Sequence, residues 1–285
     1  MSDQNNPFKN ESNTGHIWDS NLRELTNQPP RWWTIGFHAS WIFVLAYSIL
    51  YPSWPMISSH TTGLLGWTSI KEYKQDLQEI EQIRAPFEEK IAKMSAEQVL
   101  ADSELTNYTV RSAKVLFGDY CAACHGTNGA GNLGFPVLAD DDWLYGGTVA
   151  DIQASIADGR EGSMPAFGSK LNDSQLQAVT RHVVALSQGG QDAEGLAVYN
   201  EQGCFACHGM DSKGVTAMGS ANLTDAIWRF APGTAESVAY TIAHGINDGS
   251  DAKSRNAVMP SFGERLSETD IKKLTVFVHK LGGGQ

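Results

Sequence analysis

The pattern of apolar and polar positions changes character three times along the chain. Residues 1–30 are polar, rich in Asn, Gln and Ser, and predict an extended segment. From Trp32 to Tyr51 there is no Asp, Glu, Lys or Arg. About 20 such residues are what a helix needs to cross the hydrocarbon core of a bilayer. Trp32 and Trp33 at one end, with Tyr51 and Trp54 at the other, occupy positions where aromatic rings settle at a membrane interface. A cleaved leader is the competing reading, but a 30-residue polar stretch containing acidic residues precedes the run and no A-x-A-like site follows it. An uncleaved single-pass anchor is the expectation. His38 falls inside the span, either as a functional group or as a neutral imidazole bonded to a neighbouring helix.

Beyond the anchor, Ile70, Tyr73, Leu77, Ile80 and Ile83 recur at helical spacing, so residues 67–84 predict an amphipathic helix. Pro86 is expected to end it or to begin the next one. Two similar patterns come after this connector. In the first, a helix runs into Tyr120, another covers 149–158, and a closing helix capped by Asn172 or Asp173 carries the apolar stripe Leu176, Val179, Val183, Val184 and Leu186. In the second, an entry helix covers 195–202, and a closing helix capped by Ser267 carries Ile271, Leu274, Val278 and Leu281. The pattern predicts an all-α chain, with one N-terminal transmembrane helix followed by two tandem helical domains. The boundaries are 1–30 for the leading segment, 31–54 for the anchor, 55–107 for linker helices, 108–188 for the first domain and 189–285 for the second.

Cysteine usage gives these domains a chemistry. All 4 cysteines fall in two runs, Cys121-Ala122-Ala123-Cys124-His125 and Cys204-Phe205-Ala206-Cys207-His208. C-x-x-C-H is the attachment signature of c-type haem: both sulfurs on one helical turn reach the two vinyl groups of a porphyrin, and the adjacent histidine faces the iron. A zinc ribbon would place its second pair about 15–20 residues on, and these runs are much farther apart. The domains are therefore cytochrome c-like, with two covalent haem c groups on Cys121, Cys124, Cys204 and Cys207, and with His125 and His208 as axial ligands.

A haem iron with one histidine takes either a sixth protein ligand, for electron transfer, or an open face, for ligand chemistry. Met164 and Met259 each precede a proline in equivalent places of the repeat, 39 residues after His125 and 51 after His208. They are the expected sixth ligands. Each serves its own domain by default, although a crossed arrangement has the same signature and the short join at 187–192 permits it. Residues 247–256, polar and extra to the second copy, read as a surface loop. Met218, His244, His182, His60 and His279 read as packing or surface residues.

The formal net charge is −11, which excludes the basic stripes of a nucleic-acid binder and suits a basic protein partner such as a soluble cytochrome c. Haem attachment to C-x-x-C-H takes place outside the bacterial cytoplasm, so the haem domains are expected in the periplasm, with the amino terminus inside.

Several further stretches carry a resemblance: Pro30-Arg31-Trp32-Trp33, Gly63-Leu64-Leu65-Gly66-Trp67, Gly134-Phe135-Pro136, Asp142-Trp143-Leu144-Tyr145-Gly146-Gly147 and Asn222-Leu223-Thr224-Asp225. With the two C-x-x-C-H runs, the chain from about Trp18 onward resembles the membrane-anchored dihaem c subunit (subunit III) of cbb3-type cytochrome c oxidases, in a short form with one spanning helix. The resemblance implies a subunit of the bacterial inner membrane with no catalytic residues of its own. It would relay electrons from a soluble or membrane cytochrome c to a monohaem cytochrome c subunit and the catalytic haem-copper subunit, where oxygen is reduced and protons are pumped. A free-standing dihaem shuttle shares every haem feature. A dihaem peroxidase needs an exchangeable iron site, which two Met-Pro loops and an anchor argue against.

Overall fold

The computed structural model describes residue 8 and residues 10–19, 21–230 and 233–285. Among them the chain is mostly helical, and its strands form two short two-stranded ladders. It divides into two compact units, Met1–Ile83 and Arg84–Gln285.

In the first unit, β1 (Asn13–Trp18) and β2 (Leu22–Leu25) pair antiparallel. The expected extended segment is thus partly a paired hairpin; for residues 1–7, 9 and 20 that expectation lies outside the described residues. Arg23 reaches back to the Glu11 carboxylate and lies over the Phe8 ring, so the hairpin is held by side chains that composition alone does not pair. The helix α1 (Arg31–Leu50) has 20 residues, a mean hydropathy of 1.4 and no buried residue. Apolar all round and unpacked, it is suited to lipid or to neighbouring helices. The returning chain covers its C-terminal carbonyls: Leu64 N–H donates to Ile49 and Leu65 N–H to Leu50, at 2.9 and 3.1 Å.

The helix α2 (Ser69–Lys93) includes Pro86, where the sequence predicted a break. Proline inside a helix forfeits a hydrogen bond and costs about 3 kcal/mol. Packing beyond the proline offsets that cost. Phe87 stacks on Tyr108 with centroids 4.5 Å apart, and Ile91 is fully buried.

Within the second unit, α3 (Ala96–Ala101), α4 (Ser103–Tyr120), α6 (Val149–Asp158) and α11 (Glu268–His279) pack together. Ala113 and Phe117 of α4 meet Ile152 and Ile156 of α6 and Ile271, Leu274, Phe277 and Val278 of α11. A second core joins α7 (Asp173–Leu186), α8 (Ala193–Glu201) and α10 (Ala235–His244), through Ala178, Val179, Val183, Val198, Tyr199, Val238 and Ile242. Two further short helices, α5 (Ala122–His125) and α9 (Phe205–His208), carry the C-x-x-C-H runs.

The caps are the predicted ones. Asn172 makes a capping box with Gln175, and Ser267 accepts the Asp270 N–H. The partners of the closing helices come from the other repeat. The closing helix of the first repeat, α7, packs with the second repeat's α8 and α10, and α11 packs back on α4 and α6. The division at 188/189 separates the sequence repeats, and the packing runs across it. The six residues between α7 and α8 account for this, because short connections leave consecutive helices adjacent. Arg181 pairs with Asp192 and Glu194 over the join, and buried His182 accepts the Asp192 N–H. With α7 committed there, α11 closes the first core.

Candidate functional site

Each C-x-x-C-H run forms one helical turn that ends on a glycine cap. The turn puts both cysteines and the histidine on a short stretch of chain whose direction is fixed by the entry helix before it, α4 or α8. His125 Nδ1 donates to the Pro136 carbonyl at 3.0 Å, and His208 Nδ1 donates to the Ala221 carbonyl at 2.9 Å. Such a second-sphere bond fixes the tautomer and ring orientation of a metal-bound histidine and leaves Nε2 as the ligand atom. Burial holds both imidazoles below the usual histidine range, that is, neutral and able to ligate.

Polar side chains hold the two turns in matching ways. Asn132 Nδ2 donates to the Cys124 carbonyl and Ser220 Oγ to the Cys207 carbonyl. Burial pushes the Cys121 thiol up to about 11 and also raises the Cys204 thiol. Neither is set up as a free thiolate, which a zinc site or a dithiol redox pair needs. Among the described residues no three His, Cys, Asp or Glu side chains converge as a metal cluster.

A cavity of about 450 Å3 opens beside Cys204, Cys207 and His208, walled by Tyr199, Trp228 and Met164. Its size suits a bound cofactor, and its apolar lining with a few polar groups is the usual composition of such sites. Beside the first turn, Cys121, Ala122, Trp143 and Met259 pack against the core of Ala113 and Phe117. The donor set, the free Nε2 atoms and the apolar surroundings fit haem c at both places.

The two Met-Pro loops are exchanged between the repeats. Met164 pairs with Ile246, N–H to carbonyl both ways at 2.9 and 2.8 Å, and its side chain lies with Cys204 and Trp228 against the second core. Met259 pairs with Arg160 in the ladder of β3 (Arg160–Glu161) and β4 (Val258–Met259), and packs on the first core. The anchoring bonds repeat: Phe167 and Gly168 N–H groups donate to Ile242 and Ala243, and Phe262 and Gly263 donate to Ile156 and Ala157.

The structure also brings in groups that sequence reasoning missed. Pro136 and Phe135 line the cavity of the second site while Pro136 holds His125 of the first. Arg229, on the cavity wall, donates through Nε to the Gly134 carbonyl, and its own carbonyl accepts the Gly134 N–H. Among the described residues no carboxylate pairs with it, and burial pulls its pKa below the usual guanidinium value. Only the Gly-Phe-Pro run signalled this junction. Of the weaker candidates, Met218 is exposed at the cavity rim, His244 pairs with Asp251 at 2.8 Å, and His182 is buried. His60 pairs in an isolated bridge with Pro55, the His279 ring lies 3.2 Å from the Gln285 carbonyl, and His38 meets the Phe37 ring edge-on.

Residues 10–58 match the family described as the N-terminal domain of cytochrome oxidase-cbb3, FixP, and residues 109–183 and 190–278 match cytochrome c oxidase, cbb3-type, subunit III. A cbb3-type cytochrome c oxidase subunit FixP of Azorhizobium caulinodans is 40% identical over 96% of this chain and 94% of its own length. The FixP subunit of Sinorhizobium medicae is 38% identical over 95% and 94%. The CcoP subunit of Cereibacter sphaeroides is 35% identical over 95% of each chain.

Proposed function

The chain belongs to the family of subunit III of cbb3-type cytochrome c oxidases, and from that premise we propose that it is a membrane-anchored dihaem relay with crossed axial ligation. As a subunit of that oxidase it transfers electrons and has no substrate chemistry of its own. In the proposed reading, electrons arrive from a cytochrome c donor and leave toward the monohaem and haem-copper subunits. The haem domains lie in the periplasm and α1 in the inner membrane.

Cys121 and Cys124 hold one haem c, and Cys204 and Cys207 the other. His125 is paired with Met259, and His208 with Met164. The observation that carries the pairing is the place of Met164, on the wall of the cavity that contains His208 and 39 residues beyond the other histidine. Bound haem would supply a one-electron iron couple, and a thioether ligand raises its potential. The chain's own residues do the rest. Pro136 and Ala221 carbonyls keep the Nδ1 protons in place and the Nε2 atoms free, and the apolar walls exclude water. Both Met loops are clamped by backbone bonds to the opposite repeat, so the ligand geometry is preset and little reorganisation accompanies a change of charge.

The pairing is tested in full-length protein that retains one haem, with Cys204 and Cys207 replaced by Ser. There Met259→Ala opens the remaining ferrous haem to carbon monoxide and Met164→Ala leaves it closed. The reverse result assigns each Met to its own repeat. The assembly reading is tested by mild-detergent purification from the native membrane. Co-purifying b-type haem, copper and an oxygen uptake lost on Cys121→Ala support it, whereas a lone c-type spectrum points to a free shuttle.

A further inference from the structure

The polar loop 247–256 follows α10, and its first residues touch both Met-bearing loops. Asn247 has a left-handed backbone, φ +49°, and its side chain uses both amide donors and its carbonyl oxygen. Nδ2 donates to the Gly162 carbonyl at 2.6 Å and to the Ala257 carbonyl at 3.1 Å, and Oδ1 accepts the Ala257 N–H at 3.0 Å. Gly162 stands two residues before Met164, and Ala257 two residues before Met259. One amide group therefore ties together the segments that carry the two methionines, at equivalent places in the repeat.

The neighbouring residue is one-sided. Asp248 Oδ2 accepts the Ala166 N–H at 2.6 Å, just beyond Met164, and its other side-chain bonds stay within its own loop at Ser250. The Asn247 backbone is pinned as well: its N–H donates to the Arg255 carbonyl at 2.7 Å, and Arg255 N–H donates to Gly245 at 3.1 Å. A loop that the sequence presents as surface is in this way a rigid bracket between the two sites.

We infer that Asn247 is a positioning residue shared by both axial methionines, so that its side chain holds the two haem sites closed together, with Asp248 serving the Met164 site alone. This rests on the ligand assignment proposed above. The amide is placed to do it because a carboxamide offers two donors and an acceptor in one plane, and only that combination satisfies two carbonyls and an N–H at once. Loss of a partner would leave those backbone groups unpaired beside the ligand loops and let each methionine drift from its set position.

The test is carbon monoxide uptake by the full-length ferrous holoprotein, together with the thioether-to-iron charge-transfer band of the ferric form. Glycine keeps the positive φ without strain, so Asn247→Gly removes the side chain alone. It is expected to raise the carbon monoxide-reactive fraction several-fold at both haems and to weaken the band at both. Asn247→Asp, isosteric but lacking the donors, should give the same two-site pattern. Asp248→Ala should open one haem. Met164→Ala and Met259→Ala serve as references, each opening one haem. Sites that stay closed in both Asn247 variants while the Met variants open, or opening confined to one haem, overturn the shared role. Met variants that leave both haems closed overturn the ligand assignment and the inference together.

Discussion

His125 Nδ1 donates to the carbonyl of Pro136 at 3.0 Å, and Pro136 is at the same time part of the wall around His208. One residue thus touches the proton of one ligand histidine and the cavity of the other. Arg229 sits at this junction through its paired bonds with Gly134, and lies close enough to His125 to disfavour the imidazolium. Reduction adds an electron to each site, and a nearby guanidinium, charged at every accessible pH, favours it. Arg229→Gln is expected to lower the midpoint potentials by on the order of tens of millivolts, and Arg229→Lys to restore most of the loss. A spectroelectrochemical titration decides. Unchanged potentials in Arg229→Gln would show that its charge is screened from both sites.

Gly159 and Gly245 end α6 and α10 in matching conformations, φ/ψ +73/178° and +70/−169°. That region is essentially restricted to glycine. A Cβ at Gly159 would lie 2.5 Å from the Met259 carbonyl oxygen, and one at Gly245 would lie 2.3 Å from that of Met164. Each Ala substitution is expected to cost about 1–3 kcal/mol. Gly159→Ala should disturb the His125 haem and Gly245→Ala the His208 haem, seen as a lower melting temperature and a weakened thioether band. Damage from Gly159→Ala at the His208 haem, or from Gly245→Ala at the His125 haem, would contradict the exchange.

Lys273 is nearly buried between two carboxylates, Glu88 on α2 at 3.2 Å and Asp270 at 2.9 Å, and Glu88 also accepts the Tyr108 hydroxyl at 2.7 Å. Removing the cation leaves Glu88 and Asp270 facing each other without compensation. Lys273→Ala is expected to destabilise the unit by on the order of 2 kcal/mol, discounted because both carboxylates are partly exposed. Chemical denaturation measures it, and the double variant with Glu88→Gln should recover part of the loss.

Asp142 is raised to about 6, first by burial and then by the charges of Asp225, Asp140 and Asp141. Its ordinary value is about 3.9, so the folded protein holds this proton more tightly than the unfolded chain does. Stability contributed by the protonated form is present below about pH 4 and lost as the pH rises through 6. Asp142→Asn is therefore expected to raise the melting temperature at pH 7 and to leave it unchanged near pH 4. Equal gains at both values would point to packing instead of charge.

The sequence by itself determined the motifs and most of the helices. Two C-x-x-C-H turns, two Met-Pro loops, a charge-free span of membrane length and the caps Asn172 and Ser267 follow from spacing and local bonding, and these act over a few residues. The tertiary structure decided who meets whom. An apolar stripe on α7 states that a face must be buried and is satisfied equally by either core; the six-residue join to α8 gave it to the second core and left α11 for the first. Pro86 stayed inside a helix because Phe87 and Ile91 had a core to reach. Asn247 looked like any loop residue, since hydrogen bonds to Gly162, 85 positions away, leave no mark in local sequence. Periodicity encodes that a surface is buried, and only the fold supplies the surface that buries it.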